Sequence, residues 1–237
     1  MFEDTYFRGW KYKTCGDYHR NLDLNWSYAL SYIKKIDFIR RFIEKLPHNT
    51  RILDAGCGEG VLVEEFSSKG YSIVGFDLNY ESKYVRRGNI LAMPYQNDSF
   101  DIVLLLDILE HLSFENQPEV LKEIKRVLLN NGKLVVSLPN LAHLESRYCF
   151  FLKGILDRTA SEIEHPGERP IWENIKLLKD AGFKIVAVKG ITLTVPIVYR
   201  RIICKKPKRF KWLHDLLNNF AIPSLAKYNI IISENKK

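Results

Sequence analysis

The stretch that decides the fold is residues 51–60, which read Arg-Ile-Leu-Asp-Ala-Gly-Cys-Gly-Glu-Gly. A short apolar strand ends at Asp54 and Ala55, three alternating glycines follow, and a helical pattern begins at Val61. In an open α/β sheet, ligands bind beyond the carboxyl ends of the strands, beside this first turn. Glycines there let the backbone approach a ligand closely and adopt conformations that a Cβ atom disfavours. We therefore predict that residues 54–60 form part of a ligand site.

On both sides of this turn, strand patterns alternate with helical patterns along most of the chain. Residues 100–106 form a near-continuous apolar run, which is typical of a strand buried on both faces of a parallel sheet. Such alternation predicts the fold class α/β, with a doubly wound, mostly parallel sheet of seven strands and helices on both faces. The predicted strands are 51–55, 71–76, 83–86, 100–106, 133–138, 183–192 and 228–233, and the predicted helices are 26–46, 61–69, 118–129 (stopped by Asn131-Gly132) and 171–181.

The length of 237 residues suits one domain with additions. We divide it into an N-terminal lid and helix (1–47), a core (48–139) and two substrate-side insertions (140–168 and 193–224) that interrupt the alternation. The four cysteines lie far apart without a CxxC pair, and no secretory signal is visible. No apolar run approaches the roughly 18 residues that a membrane-spanning helix needs. These features predict a cytoplasmic protein.

The net charge of +8 comes entirely from the end of the chain. Residues 1–192 carry 26 basic and 26 acidic side chains, whereas residues 193–237 carry 10 basic side chains against Asp215 and Glu234. Most of this charge lies within 200–217, so the positive charge forms a local patch and is not spread over the whole surface. It predicts either a solvated face, a dock for a phosphorylated acceptor, a nucleic-acid surface, or a contact with an anionic membrane. In the membrane alternative, four apolar side chains would enter the interface: Trp212, Leu213, Leu216 and Leu217.

Two acidic residues narrow the nature of the ligand. Asp54 places a carboxylate where a diphosphate would be repelled, which favours a cationic or amine-bearing ligand. Asp77 ends the second predicted strand 23 residues later, where an acidic side chain can accept hydrogen bonds from both ribose hydroxyls. The spacing is GxGxG with Val61 next, so the GxGxxG pattern of dinucleotide sites is not met. The residues favour a positively charged nucleoside without phosphate, although a plain turn capped by two aspartates is the simpler alternative.

Residues 51–60 resemble the first motif of the class I S-adenosylmethionine-dependent methyltransferases. Residues 88–103 and 106–112 are similar to later segments of that family, and the resemblance covers 48–139 closely and 170–192 loosely. It implies a Rossmann-like fold, methyltransferase activity, and S-adenosylmethionine as cofactor with S-adenosylhomocysteine as product. The nine positions that it implies for cofactor binding are Asp54, Gly56, Cys57, Gly58, Asp77, Leu78, Asn89, Ile90 and Asp107.

The resemblance also implies a role for several of these positions. Asp54 and the glycines would line the methionine part, Asp77 would hold the ribose, and Asp107 would lie near the methionine end. Leu78 would lie against the adenine, with Asn89 and Ile90 flanking it. The family usually has Asp at the position of Asn89, whose carbonyl oxygen can still accept a hydrogen bond from the adenine amine.

Methyl transfer from a sulfonium mainly requires that nucleophile and methyl group be brought together. A hydroxyl or amine acceptor also needs a base that titrates near neutrality, which favours histidine. The candidate catalytic residues are His111 after the fourth strand, His143 after the fifth, and His165 before the next helix. For each of them the alternative is a structural or exposed histidine.

His165 has a further argument in its favour. The most similar family branch has a His followed by Arg and an aromatic residue just before that helix, a pattern that Arg169 and Trp172 match loosely. The flanking glycines do not make Cys57 a nucleophile, because the family commonly has an unreactive Cys there. We predict no metal site, although Asp107, Glu110 and His111 could imitate one.

The sequence therefore predicts transfer of a methyl group to a small-molecule or lipid-linked acceptor, at oxygen. The branch that it resembles includes enzymes of quinone, sugar and polysaccharide pathways. Tyr148, Phe150 and Phe151 either line an apolar acceptor wall or pack inside their own insertion. An RNA methyltransferase using the basic C-terminal region and a non-catalytic cofactor-binding module stay open as alternatives. A nucleic-acid partner is disfavoured. In the wider family that the chain resembles, an Asn/Asp-Pro-Pro-aromatic tetrapeptide after the fourth strand marks many enzymes that methylate amino groups of nucleic acids, and this chain lacks it there.

Overall fold

The computed structural model describes residues 22, 28–160 and 162–237. The aromatic lid predicted in the first 25 residues therefore lies, except for residue 22, outside the described residues. The strands are β1 (Ile52–Ala55), β2 (Ile73–Asp77), β3 (Val85–Arg87), β4 (Phe100–Leu106), β5 (Leu128–Pro139), β6 (Phe183–Ile191) and β7 (Tyr228–Asn235). The α-helices are α1 (Ala29–Ile43), α2 (Val61–Ser68), α3 (Asn116–Val127), α4 (Leu144–Lys153), α5 (Ile171–Asp180) and α6 (Lys211–Asn218), with a 3₁₀ turn at Leu109–His111 and a π-helical turn at Tyr199–Ile203.

All seven strands form one sheet in the order β3-β2-β1-β4-β5-β7-β6. β1 lies parallel to β2 and β4, β2 to β3, and β4 to β5, whereas β7 runs antiparallel to both β5 and β6. The predicted doubly wound, mostly parallel sheet is thus confirmed. Because β1, β2 and β4 are parallel neighbours, the residues that follow their carboxyl ends meet at one edge of the sheet.

The core lies on both faces of the sheet, and strand β4 shows this directly. Val103 and Leu105 pack into the layer that includes α3 and α5, while Ile102 and Leu104 pack into the layer that includes α1 and α2. All four are at most 4% exposed. Successive side chains of a strand point to opposite faces, so an unbroken apolar run is what a doubly covered strand requires.

Two predicted boundaries are wrong. The helix predicted over 118–129 ends at Val127, and β5 begins at once with Leu128 instead of after a stop at Asn131-Gly132. Asn131 has a φ of +62°, and the pairing with β4 shifts register between Phe100 and Ile102. The turn-forming pair therefore makes an irregularity within the strand, because the sheet partner continues past it.

The two insertions also depart from the sequence prediction. The side chains of Phe150 and Phe151 are 56% and 86% exposed, so they do not pack inside a small core of their own. Leu213 and Leu217 pack against a cluster of buried side chains around Tyr199, and only Trp212 and Leu216 of the four predicted interfacial residues are exposed. Within the described part of the chain, no helix has the length and apolarity to cross a bilayer.

Asn140, at the end of β5, joins the two insertions to the sheet. Its Nδ2 donates to the carbonyl oxygen of Ala226 over 2.9 Å, and its Oδ1 accepts from the amides of Ala142 and Ile171, each over 3.1 Å. Asn140 is fully buried. One side chain thus ties the first insertion, the start of α5 and the loop before β7 to one another.

We expect Asn140→Ala to lower the free energy of unfolding by about 2 kcal/mol, since it leaves buried backbone groups without partners. Urea denaturation followed by circular dichroism measures the change. Asn97→Ala, at an exposed position, is the matched control and should stay within about 0.5 kcal/mol of wild type. Equal stabilities of the two variants would contradict the role given to Asn140.

Candidate active site

The glycine turn after β1 has the geometry that its sequence predicts. Gly56, Gly58 and Gly60 all have positive φ, at +83°, +58° and +76°. The amide of Gly56 donates to the carbonyl oxygen of Phe76 over 2.7 Å, which holds the turn against β2. A Cβ atom on Gly56 would lie 2.2 Å from Cδ1 of Ile108, so the Ile108 side chain would have to move to admit one. The positive φ is the firmer reason for glycine at Gly56.

Asp77 at the end of β2 organises the neighbouring loops. Its Oδ2 accepts from the amide of Gly58 over 2.9 Å, and its Oδ1 accepts from the amide of Asn79 over 2.8 Å. Oδ1 also accepts from the amide of Tyr80 over 3.3 Å, so three of the about four hydrogen bonds that a carboxylate can accept are in use and capacity for one ribose hydroxyl is left. The capping role and the ribose-binding role, which the sequence presents as alternatives, are therefore compatible in one side chain.

The residues predicted to flank the adenine lie beyond β2 and β3. Leu78 follows Asp77 directly and is 41% exposed, so its side chain is accessible to the predicted base. Ile90 packs against the core. Asn89 is exposed, and its Oδ1 accepts from the amide of Leu91 over 2.9 Å. The amide group of Asn89 therefore shapes its own turn, and one lone pair of its carbonyl oxygen is already in use.

Asp54 is buried at the end of β1, and Cys57 is half-buried within the glycine turn. Burial and the nearby charge of Asp77 raise the pKa of Asp54 to about 7, with Lys35 acting in the opposite direction. Burial and the charge of Asp54 raise the pKa of the Cys57 thiol, so it stays protonated and is no nucleophile. A cation bound beside Asp54 would restore its ionised form, which suits the positively charged ligand that the sequence favours.

Asp107, directly after β4, lies at the centre of a buried polar network. Its Oδ2 accepts from the hydroxyl of Tyr28 over 2.8 Å and forms an ion pair with the ammonium of Lys35, while its Oδ1 accepts from the hydroxyl of Ser137. Burial alone would raise the pKa of Asp107, but Lys35 and these hydrogen bonds outweigh it and lower the pKa. Asp107 has a φ of +55°, and the network holds this unfavourable backbone conformation.

Sequence reasoning missed Lys35, Tyr28 and Ser137. Lys35 is 4% exposed and belongs to the buried face of α1, between Ser31 and Ile39 at helical spacing. A lysine within an apolar stripe was the available signal, because such a lysine needs a buried anionic partner. Ser137 is a single polar residue inside an apolar strand and is typical of many strands, so its partner is visible only in the structure.

The structure brings His111 and His165 together, although 53 residues separate them in the chain. Their rings meet edge to face with centroids 4.6 Å apart. His111 Nδ1 donates to the carbonyl oxygen of Glu164 over 2.9 Å, and the amide of Gly167 donates to the carbonyl oxygen of Glu110 over 3.0 Å. The loop that carries His165 is thereby attached to the 3₁₀ turn that carries His111.

Gln117 and Gly167, which the sequence did not single out, hold this attachment. The Nε2 of the fully buried Gln117 donates to the carbonyl oxygens of Leu109 and Gly167, each over 2.8 Å. A Cβ on Gly167 would lie 2.1 Å from the carbonyl oxygen of Leu112. Arg169, which the sequence matched to a family pattern, donates through Nε to Gln117 Oε1 over 2.9 Å. Arg169 therefore supports the loop rather than facing a ligand through that nitrogen.

Both of these histidines are neutral at physiological pH. Burial and the neighbouring His111 lower the pKa of His165 to about 4, and burial lowers the pKa of His111. Beside them the carboxyl group of Glu110 is 3% exposed, and burial together with the charge of Asp107 raises its pKa well above the usual value. Neutral imidazoles with lone pairs thus lie beside the residue predicted to approach the methionine end of the cofactor.

His143 occupies a structural position. It is fully buried at the N-cap of α4, where Nδ1 accepts from the amide of Ser146 over 3.4 Å and lies 3.0 Å from the hydroxyl of Thr194. Its Nε2 donates to the carbonyl oxygen of Asp157 over 3.1 Å. Burial, with Lys227, lowers its pKa to about 4. Both ring nitrogens hold the insertions together, so the predicted catalytic role of His143 has no support here, nor is His143 an exposed loop residue.

The glycine turn and three acidic residues thus lie at the carboxyl ends of β1, β2 and β4, the edge where open α/β sheets bind ligands. A family described as "Methyltransferase domain" matches residues 26–188, more than two thirds of the chain. The chain therefore belongs to the S-adenosylmethionine-dependent methyltransferases of class I.

Known proteins of this family resemble the chain over its central part. A probable S-adenosylmethionine-dependent methyltransferase of Mycolicibacterium smegmatis is 30% identical over 150 residues, which cover 59% of this chain and 54% of that protein. A ubiquinone biosynthesis O-methyltransferase of Pelagibacter ubique is 30% identical over 117 residues, covering 44% of this chain and 48% of that protein. The chain spans about half the length of these curated relatives.

A solved structure supports the fold. Phosphoethanolamine N-methyltransferase 2 of Haemonchus contortus, in complex with phosphomonomethylethanolamine and S-adenosylhomocysteine, has a TM-score of 0.60 to this chain at 14% sequence identity. The similarity covers 98% of this chain and 61% of the worm enzyme.

We expect Asp77→Ala to weaken S-adenosylmethionine binding at least about tenfold, because charged hydrogen bonds to the ribose and the cap on Gly58 are both lost. Asp77→Asn keeps an acceptor for the Gly58 amide, so its affinity for S-adenosylmethionine should lie between those of wild type and Asp77→Ala. Calorimetric titration measures the affinities, and Glu81→Ala, an exposed acidic residue four positions on, serves as control. Wild-type affinity in Asp77→Ala would contradict the assignment.

We expect Lys35→Met to lower the free energy of unfolding by about 3 kcal/mol, because it leaves the Asp107 carboxylate buried without its ammonium partner. The double variant Lys35→Met/Asp107→Asn should lose less than the two single variants together. Lys34→Met removes a more exposed pair with Asp215 and should cost about 1 kcal/mol or less.

The ion pair between Lys35 and Asp107 also makes the stability of the fold depend on pH. The pKa of Asp107 is lowered in the folded state, so its stabilisation is present above the unfolded pKa of about 4 and is lost as pH falls below it. In Lys35→Met, the Tm should therefore fall less between pH 7 and pH 3 than it does in wild type. An unchanged pH profile in Lys35→Met would argue against the pair.

Proposed function

We propose that this methyltransferase acts on a hydroxyl group of an apolar, lipid-linked acceptor at the surface of an anionic membrane. The observation that carries the proposal is a row of exposed apolar side chains beside a basic segment, both built from the two insertions. We call this row the apolar ridge, defined as Tyr148, Phe150, Phe151, Leu152, Ile155 and Leu156.

The apolar ridge covers the end of α4 and the residues that follow it. Phe151 is 86% exposed and Ile155 is 60% exposed, which is unusual for large apolar side chains that lie close together. Such a surface is stable in water only at a cost that burial in lipid would remove.

Positive charge flanks the apolar ridge. Arg200 forms ion pairs with Glu145 before the ridge and with Asp157 after it, so the π-helical turn lies against α4. Arg201, Lys205, Lys206 and Lys208 follow, exposed and without an ion pair within the described part of the chain. Basic and aromatic side chains together favour the interface of a bilayer with anionic lipids.

Two observations support an oxygen acceptor of this kind. The relative from Pelagibacter ubique is named for O-methylation in ubiquinone biosynthesis, and a quinone precursor is an apolar molecule with a long tail. The acceptor hydroxyl must lose a proton when its oxygen takes the methyl group. His111 and His165, neutral beside Asp107, carry lone pairs that can hold a cation that acidifies the hydroxyl.

The reaction needs little else from the chain. Bound S-adenosylmethionine supplies an activated methyl group on a sulfonium. The carbon–sulfur bond breaks as the carbon–oxygen bond forms, S-adenosylhomocysteine leaves as a neutral thioether, and one proton is released. Asp54 and Asp77 hold the two ends of the donor, and the Asp107 network supports the backbone at the point where acceptor and methyl group would meet.

We expect the double variant Phe150→Ser/Phe151→Ser to bind anionic vesicles about tenfold more weakly than wild type, because two interfacial aromatic side chains are lost. Co-sedimentation with phosphatidylglycerol–phosphatidylcholine vesicles measures binding. Val186→Ser, which removes an exposed apolar side chain from β6, is the matched control and should bind like wild type.

The acceptor is tested in the same vesicles. Wild type should methylate a long-chain quinol in anionic vesicles faster than a water-soluble quinol without the tail, and the double variant should lose that difference. Equal rates on both quinols, or binding to vesicles that does not depend on Phe150 and Phe151, would contradict the proposal. Methylation of RNA in place of either quinol would favour the alternative of an RNA methyltransferase that uses the basic C-terminal region.

A further inference from the structure

Three side chains beside the proposed acceptor position form a group with the composition of a metal site. One ligand atom from each of Glu110, His111 and His165 lies within 4.8 Å of the other two. Ligand bonds of about 2.1 Å require ligand atoms about 3 to 4 Å apart, so small side-chain rotations would suffice. We propose that Glu110, His111 and His165 bind a divalent first-row metal ion such as Zn²⁺ or Mn²⁺.

The buried carboxylate of Glu110 is the strongest indication of a metal site. The residue is 3% exposed, and its Oε2 has no hydrogen-bond partner among the described residues. A buried carboxylate oxygen without a partner is costly, and proteins retain one mainly where a cation or a proton compensates it. The amide of Gly167 donates to the backbone carbonyl oxygen of Glu110, which holds the segment that carries His165 next to Glu110.

The two histidines are oriented as metal ligands are. A carbonyl oxygen can only accept, so the contact of His111 Nδ1 with Glu164 shows that Nδ1 carries the proton. The lone pair of His111 is therefore on Nε2. Metal-binding histidines almost always donate their other ring nitrogen in this way.

His165 is oriented in the same way, with Thr159 linking its ring to a carboxylate. Its Nδ1 lies 2.9 Å from the hydroxyl of Thr159, and that hydroxyl donates to Oε1 of Glu168 over 3.1 Å. Thr159 therefore accepts from His165 Nδ1, and the lone pair of His165 is on Nε2 as well. The buried Glu168 thus plays the part of the carboxylate that commonly fixes a ligating histidine.

The ligand set also indicates which ions fit. Two imidazoles and one carboxylate suit Zn²⁺, Mn²⁺ and related ions better than Mg²⁺ or Ca²⁺, which prefer oxygen ligands alone. Three protein ligands leave coordination positions open, as in catalytic sites rather than structural ones.

The open positions give the metal a use, and this part rests on the proposed function. An acceptor hydroxyl on the metal ion would lose its proton to solvent more readily, and its oxygen would attack the methyl carbon as the carbon–sulfur bond breaks. The metal ion is neither oxidised nor reduced, and the products are the methyl ether, S-adenosylhomocysteine and one proton. Metal binding itself does not depend on the identity of the acceptor.

The test uses protein without a histidine tag, dialysed with Zn²⁺ or Mn²⁺ and then freed of excess metal. Elemental analysis should find about one equivalent in wild type, and Glu110→Gln and His165→Gln should lower the affinity at least about tenfold in calorimetric titration with the same metal. His48→Gln, which removes an exposed histidine, is the matched control and should keep wild-type binding.

Circular dichroism and S-adenosylmethionine titration separate the outcomes. A variant that keeps its fold and its donor affinity but loses the metal supports the site, even if no methyl acceptor is found. A second variant, Thr159→Val, should lower the affinity for the metal without removing a ligand, because the His165 ring loses the hydrogen bond that orients it. Metal uptake by wild type that equals uptake by folded Glu110→Gln would overturn the proposal.

Discussion

The parallel register of β1, β2 and β4 is the constraint on which the rest of the structure depends. It brings the residues that follow three separate strands to one edge of the sheet, so Asp54, Asp77 and Asp107 become neighbours. Three carboxylates close together would repel one another. The ammonium of Lys35 on α1 offsets this repulsion at Asp107, while the pKa of Asp54 rises to about 7. The pocket is thus prepared for a cation, and the methyl donor is one.

A second constraint joins the acceptor side of the pocket to the donor side. Gln117 and Gly167 attach the loop before α5 to the 3₁₀ turn after β4, so His165 meets His111 and Glu110 next to Asp107. Asp107, predicted to lie near the methionine end of the donor, and the proposed acceptor-side residues Glu110 and His111 therefore belong to one short segment after β4. The proposed membrane surface lies on the other parts of the same insertions, where Arg200 joins α4 to the π-helical turn.

The glycine turn and the acidic strand ends could be predicted because their determinants are local. Gly56 and Asp77 lie at strand ends whose apolar patterns are visible, and their chemistry needs no partner from elsewhere. His143 shows the opposite case, since its position after β5 suggested the pocket and only its contacts with Thr194 and Asp157 reveal a cap. Phe151 was equally ambiguous, because an aromatic residue in an insertion has the same sequence signal whether it is buried or exposed.

The sequence by itself determined the α/β alternation, the glycine turn and the acidic strand ends, and its resemblance to a known family implied the methyl donor. These features depend on backbone conformation and on side-chain periodicity, which neighbouring residues specify. Only the tertiary structure decided that Lys35 neutralises Asp107, that His111 and His165 share one site, and that the apolar ridge faces solvent. Those outcomes depend on contacts between residues far apart in the chain, and the packing of the whole sheet and its helices sets such contacts.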